Sequence, residues 1–145
     1  SSVVRADNYN DGIKAYEKRD YATAFKLWHP LAMKGDVSAQ SILGVMYHDG
    51  QGVKRDYKEA VKWYRKAAKK GDVYAQSTLG LMYHDGQGVK RDYKEAVKWY
   101  QKAAKQGDVY AQSTPFILHK KVALSAVLLV VFGCFAKEAG LLGQK

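Results

Sequence analysis

DVSAQSILGVMYHDGQGVKRDYKEAVKWYRKAAKKG, residues 36–71, is written twice: residues 72–107 repeat it without a gap and differ at only five positions. A fixed period of this length marks stacked units, each of which buries its apolar face only against its neighbours. Within the unit, Ala39, Leu43, Met46 and Tyr47 recur at helical spacing, which predicts a first helix from Val37 to about Tyr47. Gly44 lies inside it and costs about 1 kcal/mol against alanine, so it is expected to permit a close helix approach. A loop from His48 to Arg55 follows, with Gly50 and Gly52 free to adopt positive φ. Asp56 then caps a second helix, and Glu59 three residues later completes a capping-box spacing. Tyr57, Ala60, Val61, Tyr64, Ala67 and Ala68 form its expected buried stripe, with Trp63 on the flank.

Gly35-Asp36, Gly71-Asp72 and Gly107-Asp108 punctuate the units. Glycine ends one helix in a left-handed conformation and aspartate caps the next at once, so consecutive helices turn back and pack side by side. The residues before Asp36 read as a worn copy. Residues 1–8 are polar and expected to fray; a short helix spans about Tyr9 to Lys18, with Tyr9, Gly12, Ile13 and Tyr16 on one face. Asp20 caps a second helix to about Lys34, and Pro30 inside it predicts a kink or an early break. The stretch from Gly12 to Tyr21 is four residues shorter than that from Gly44 to Tyr57, as suits a terminal cap. The expected organisation is thus 1–35 an N-terminal helix pair, 36–71 and 72–107 two full repeats, and 108–145 an incomplete repeat with a hydrophobic tail.

A fourth unit opens at Asp108 and fails at Pro115-Phe116, where the pattern demands Leu-Gly. The apolar run from Val122 to Ala136 would be about 22 Å long as a helix. That is short of the roughly 20 residues of a spanning segment. With Lys120-Lys121 before it and Val-Phe-Gly-Cys at its end, it looks like a lipoprotein signal, but at the wrong end of the chain. It is expected to dock on the repeats, pair with a second chain or enter a membrane. A net charge of +10 favours acidic partners without naming one. The lone cysteine, Cys134, rules out an intrachain disulfide. The chain starts Ser-Ser-Val-Val, which suits either a processed or a trimmed N-terminus.

The pattern running from Ala39 to Asp72 and again from Ala75 to Asp108, with Leu-Gly-x-Met-Tyr, Gly-x-Gly-Val, Asp-Tyr and Trp-Tyr-x-Lys-Ala-Ala in register, closely resembles the Sel1-like repeat. That family is similar to tetratricopeptide repeats. The resemblance covers about Tyr9 to Ser113 and implies an all-α, right-handed α/α superhelix. It further implies a scaffold or adaptor role in bacterial complexes, many of them exported, and so a periplasmic or cell-envelope location. It implies neither catalysis nor a cofactor. The repeats lack the cysteines of the disulfide-stapled branch of the family, and nothing from the family carries over to the tail.

Ser38, Ile42 and Val45 become Tyr74, Thr78 and Leu81 in the second copy, at i, i+4 and i+7 on the first helix. Related solenoids present first helices on a concave, ligand-binding side. These six residues, with Tyr110 and Thr114 of the incomplete unit, are therefore the candidate groove for a peptide or protein; the alternative is drift at lightly packed positions. The basic stripe on the second helices (Lys58, Lys62, Arg65, Lys66 and Lys69, then Lys94, Lys98, Lys102 and Lys105) is interleaved with acids and matches no nucleic-acid motif. It could serve nucleic acid or an anionic membrane surface, but it reads as a solvated face, and no nucleic acid is expected. His48 and His84 stand one repeat apart with no third ligand, so they read as helix-end residues rather than a metal site. The expected function is a non-enzymatic interaction scaffold, monomeric or dimeric. The alternative is an envelope protein held at a membrane by residues 116–136 and its basic face.

Overall fold

A computed structural model describes residues 2–108, which form six helices: α1 (Ser2–Glu17), α2 (Tyr21–Met33), α3 (Val37–Asp49), α4 (Tyr57–Lys69), α5 (Val73–Asp85) and α6 (Tyr93–Lys105). No strand occurs among the described residues. Each helix packs on the next, and α3 also touches α5, so the units stack with their first helices adjacent. This is an all-α repeat fold.

Cap chemistry sets the turnarounds. Gly35 and Gly71 sit at φ +97° and Gly107 at +92°. The Gly35 amide donates to Ala32 O at 3.0 Å and the Asp36 amide to Leu31 O at 3.0 Å, which closes a Schellman motif. Asp36 and Asp72 then accept from the amides of Ala39 (2.9 Å) and Ala75 (2.7 Å). On the second helices, Asp20, Asp56 and Asp92 accept from Thr23, Glu59 and Glu95 amides at 3.2, 3.1 and 3.0 Å. The Glu59 and Glu95 carboxylates pair forward with Lys62 and Lys98.

The Thr23 hydrogen bonds hold the Asp20 carboxyl below the ordinary carboxylate range. A carboxyl depressed on folding stabilises the fold above its unfolded pKa, and that contribution is lost as the pH falls through its folded value. An NMR titration is expected to find the Asp20 midpoint low, and Asp20→Asn to keep the cap while removing this acid dependence. A midpoint at or above the ordinary range would exclude the cap as its cause.

The core is built from small residues and aromatics in alternation. Ala24, Ala39, Leu43, Met46, Ala60, Ala67, Ala75, Leu79, Met82, Ala96 and Ala103 are completely buried. Gly44 and Gly80 let a tyrosine ring lie directly on the first helix. A Cβ at Gly44 would stand 2.5 Å from Tyr64 Cδ1, and one at Gly80 2.9 Å from Tyr100 Cδ1. The close approach expected of Gly44 is therefore real, and its counterpart Gly12 lies against Trp28 in the same way.

Four expectations are corrected. Residues 2–8 do not fray: α1 starts at Ser2, and Arg5 Nε donates to Asp36 Oδ2 at 2.6 Å, anchoring this first turn to the next unit. Of the kink or early break expected at Pro30, the early break does not occur: α2 continues to Met33 with the Lys34 amide bonded to Pro30 O at 3.1 Å. Lys26, whose carbonyl loses the proline's donor, is exposed to water. The first helix of the repeat runs on to Asp49, because Gly50 at φ +72° caps it with its amide on Met46 O. Trp63, placed on the flank by the helical wheel of α4, is 6% exposed, buried against residues of the preceding unit.

Candidate functional site

The candidate stripe lies on α3 and α5. Tyr74 is 57% and Leu81 37% exposed, Ser38 is exposed, and Ile42, Val45 and Thr78 are half-buried. Ile42 packs against the core of the first unit, and Val45 against the cluster holding Leu79 and Met82. α3 and α5 touch, and Val45 is the stripe residue that packs towards α5. Ser38 also edges a cleft of about 260 Å³ with Arg5, Tyr9 and Asn10 of α1. Tyr110 and Thr114 lie outside the described residues.

Tyr74 is held from below. Its ring meets that of Tyr64 edge-on, with centroids 6.3 Å apart. Burial pushes the Tyr64 phenol far above the ordinary tyrosine range, with Tyr74 adding to the shift. Tyr74 therefore presents its ring at the surface on a buried aromatic base.

The structure divides the five differences between the copies. Arg65 Nη2 donates to Tyr83 OH at 2.7 Å, tying α4 to α5, whereas Gln101 stands in its place on α6. Lys70 Nζ donates to Gly35 O at 2.8 Å, whereas Gln106 Nε2 donates to Gln76 Oε1 at 2.9 Å. Arg65 and Lys70 thus tie neighbouring units together, whereas Gln106 bonds within its own unit. The remaining three differences are the stripe itself.

Residues that the sequence reading missed are structural. Gln40 and Gln76 are 4% exposed and donate to Ala32 O and Ala68 O, each at 3.0 Å, so they clamp a first helix to the preceding second helix. Ser41 Oγ and Ser77 Oγ donate across units to Asp72 (3.1 Å) and Asp108 (2.5 Å). The available signal was a glutamine kept in both copies beside the buried Ala39 and Ala75.

The histidines do not meet. His48 Nδ1 lies 2.6 Å from Asp49 Oδ1 with its ring edge-on to Tyr57, and His84 repeats this with Asp85 and Tyr93. No cluster of three or more His, Cys, Asp or Glu among the described residues is placed to hold a metal. No helix among them is long and apolar enough to cross a membrane.

The Sel1 repeat matches residues 6–36, 37–72 and 73–108. A protective antigen of uropathogenic Escherichia coli strains displaying an SLR fold is similar at 42% identity and a TM-score of 0.71, over 74% of this chain and 24% of its own. A Sel1 repeat protein from Oxalobacter formigenes is 37% identical, with a TM-score of 0.69 over 74% of this chain and 43% of its own. The cysteine-rich protein B of Helicobacter pylori shares the fold at 23% identity, with a TM-score of 0.62 over 76% of this chain and 93% of its own. No curated protein matches. The chain therefore spans well under half the length of the first two structures. Three consecutive matches cover most of its length, and the chain belongs to the Sel1 repeat family.

Proposed function

We propose that the chain is an interaction scaffold that binds a protein or peptide along the exposed stripe of α3 and α5. Sel1 repeat proteins generally mediate protein–protein interaction and are typically non-enzymatic. The observation that carries the reading is the sorting of differences. Two of the five positions that vary between the copies hold ties between units, through Arg65 and Lys70, while the other three line one surface that includes exposed Tyr74 and Leu81. Aromatic and large apolar anchors on a rigid base are what interface centres use. A preformed surface also loses little ordering entropy on binding. α3 and α5 contain no Lys or Arg, so the stripe suits an apolar segment rather than an acidic one. The protective-antigen neighbour supports a bacterial envelope or periplasmic setting.

The test is a peptide-display selection against the full chain, followed by affinity measurement on Tyr74→Ala with Leu81→Ala. Selected peptides are expected to bind the double variant at least about tenfold more weakly, since each interface anchor is worth over about 1 kcal/mol. Folding stability should move by less than about 1 kcal/mol, because both side chains are largely outside the core. Peptides that bind both proteins equally would rule the stripe out.

A further inference from the structure

We propose a second docking surface on the opposite side of each hairpin: the lysine face of α4 and α6 seats the protein on an anionic lipid surface. It is independent of the stripe on α3 and α5. Residues 54–70 hold eight Lys or Arg against two acids, and residues 90–105 hold six against two. These two segments alone amount to the chain's whole formal charge of +10, and the rest of the chain sums to zero. α3 and α5 carry no cation at all, so the charge is segregated to the loops and second helices.

The burial of Trp63 and Trp99 turns this from a charge run into a surface. Both indoles are 6% exposed, so the outer side of each second helix presents lysines and no ring. Lys66 and Lys102 lie over these indoles at 4.5 and 4.6 Å, which holds an ammonium at the same place in each unit. Lys62 and Lys98 stand one turn earlier; each pairs with a glutamate of its own helix, Glu59 or Glu95, and keeps its side chain 63% or 68% exposed. A shallow cleft of about 300 Å³ is lined by Lys62, Arg65, Lys66 and Lys69 with Trp63, against the single carboxylate of Glu59, so its net charge is positive.

Nucleic acid fits this face less well. Trp63 and Trp99, the rings beside these lysines, are buried, and the half-exposed Tyr93 at the start of α6 packs edge-on against His84, so no run of open rings lies along the lysines for base stacking. Arg65, the one guanidinium on these helices, donates to Tyr83. What remains are lysines, hydrated point charges that need no fixed geometry and suit a fluid layer of headgroups.

The test uses the full chain with phosphatidylglycerol–phosphatidylcholine vesicles and pure phosphatidylcholine vesicles. Each lysine near an anionic surface is worth about fivefold in affinity. The combined variant Lys62→Gln, Lys66→Gln, Lys98→Gln and Lys102→Gln is therefore expected to bind anionic vesicles at least about tenfold more weakly, with unchanged circular dichroism. The same four positions changed to arginine should retain binding. Binding of the native chain should fall as salt is raised to physiological strength. Equal binding to both vesicle types, or an unaltered affinity in the glutamine variant, would overturn the proposal. So would displacement from vesicles by mixed-sequence duplex DNA at lower concentration than by free anionic lipid. Should the glutamine variant fail to fold, the salt titration decides: anionic-vesicle binding indifferent to salt overturns it.

Discussion

Gly88→Ala is expected to destabilise the protein by about 2–4 kcal/mol, while Gly71→Ala, also at positive φ, costs only about 1. Gly71 at φ +97° has nothing within 4 Å of an added Cβ. Its substitution therefore carries the conformational penalty alone, about 1–2 kcal/mol for a left-handed residue, offset by roughly 0.4–1 from a stiffer unfolded chain. Gly88 at +68° carries that penalty and a steric one. Its Cβ would collide with the carbonyl of Tyr57, backbone atoms that cannot swing aside. Overpacking of this kind adds about 1–3 kcal/mol. Gly52 meets the Tyr21 carbonyl identically, so Gly52→Ala should behave like Gly88→Ala. In both places the loop of one unit rests on the first turn of the second helix of the unit before, so the glycine sets the spacing between units. Gly50→Ala is expected to fall between Gly71→Ala and Gly88→Ala: at φ +72° its Cβ would come 3.2 Å from Arg55 Cβ and 3.3 Å from Arg55 N, so the loop must give by a few tenths of an ångström rather than meet a direct clash. Urea unfolding of the four variants gives the comparison. Equal losses at Gly71 and Gly88 would mean that the loop contact contributes nothing.

Features decided within a few residues of chain were legible in the sequence. The aspartate caps, the glycine turnarounds and the close approach at Gly44 follow from local geometry, and the repeat writes each of them twice. The reading failed where a contact joins distant residues. Arg5 reaches Asp36 across 31 positions, so a polar segment that looks free is an anchored helix. Trp63 lies beside the apolar stripe on the wheel of α4 alone, yet the preceding unit covers it. Gln40 and Gln76 look like polar interruptions until the carbonyls of Ala32 and Ala68 are brought to them. Pro30 was misjudged because its penalty depends on what its partner carbonyl can find, and Lys26 sits in water. The stripe was legible as a face, since i, i+4, i+7 spacing is geometry. Its chemistry was only half legible: the sequence does not show that Ile42 and Val45 are half-covered while Tyr74 stands proud on Tyr64.

Trp63→Ala is expected to cost about 3–5 kcal/mol, the usual range for deleting a buried large aromatic side chain. The loss should fall unevenly along the chain. Trp63 belongs to α4 but joins the cluster of Trp28, Leu31, Ala32 and Leu43, and its ring meets His29 of α2 edge-on at 6.0 Å. It is thus an interface residue between the first and second units. Trp99 is the corresponding residue one unit on, buried against Ala60, Val61 and Tyr64. In a linear stack, stability is the sum of unit terms and nearest-neighbour interface terms. Removing one interface term leaves the units beyond it coupled to each other. Hydrogen exchange of Trp63→Ala should therefore show α1 and α2 losing protection first and most, with α5 and α6 the least affected. Trp99→Ala should shift the weak point to the junction of α4 with α5 and α6. Trp63→Phe should recover part of the loss, because a smaller ring still fills part of the site, while the Lys66 ammonium keeps a weaker aromatic partner. Uniform loss of protection across all six helices of Trp63→Ala would show that the described residues unfold as one cooperative body rather than as stacked units. Preferential loss in α5 and α6 would place the coupling role of Trp63 on the wrong side.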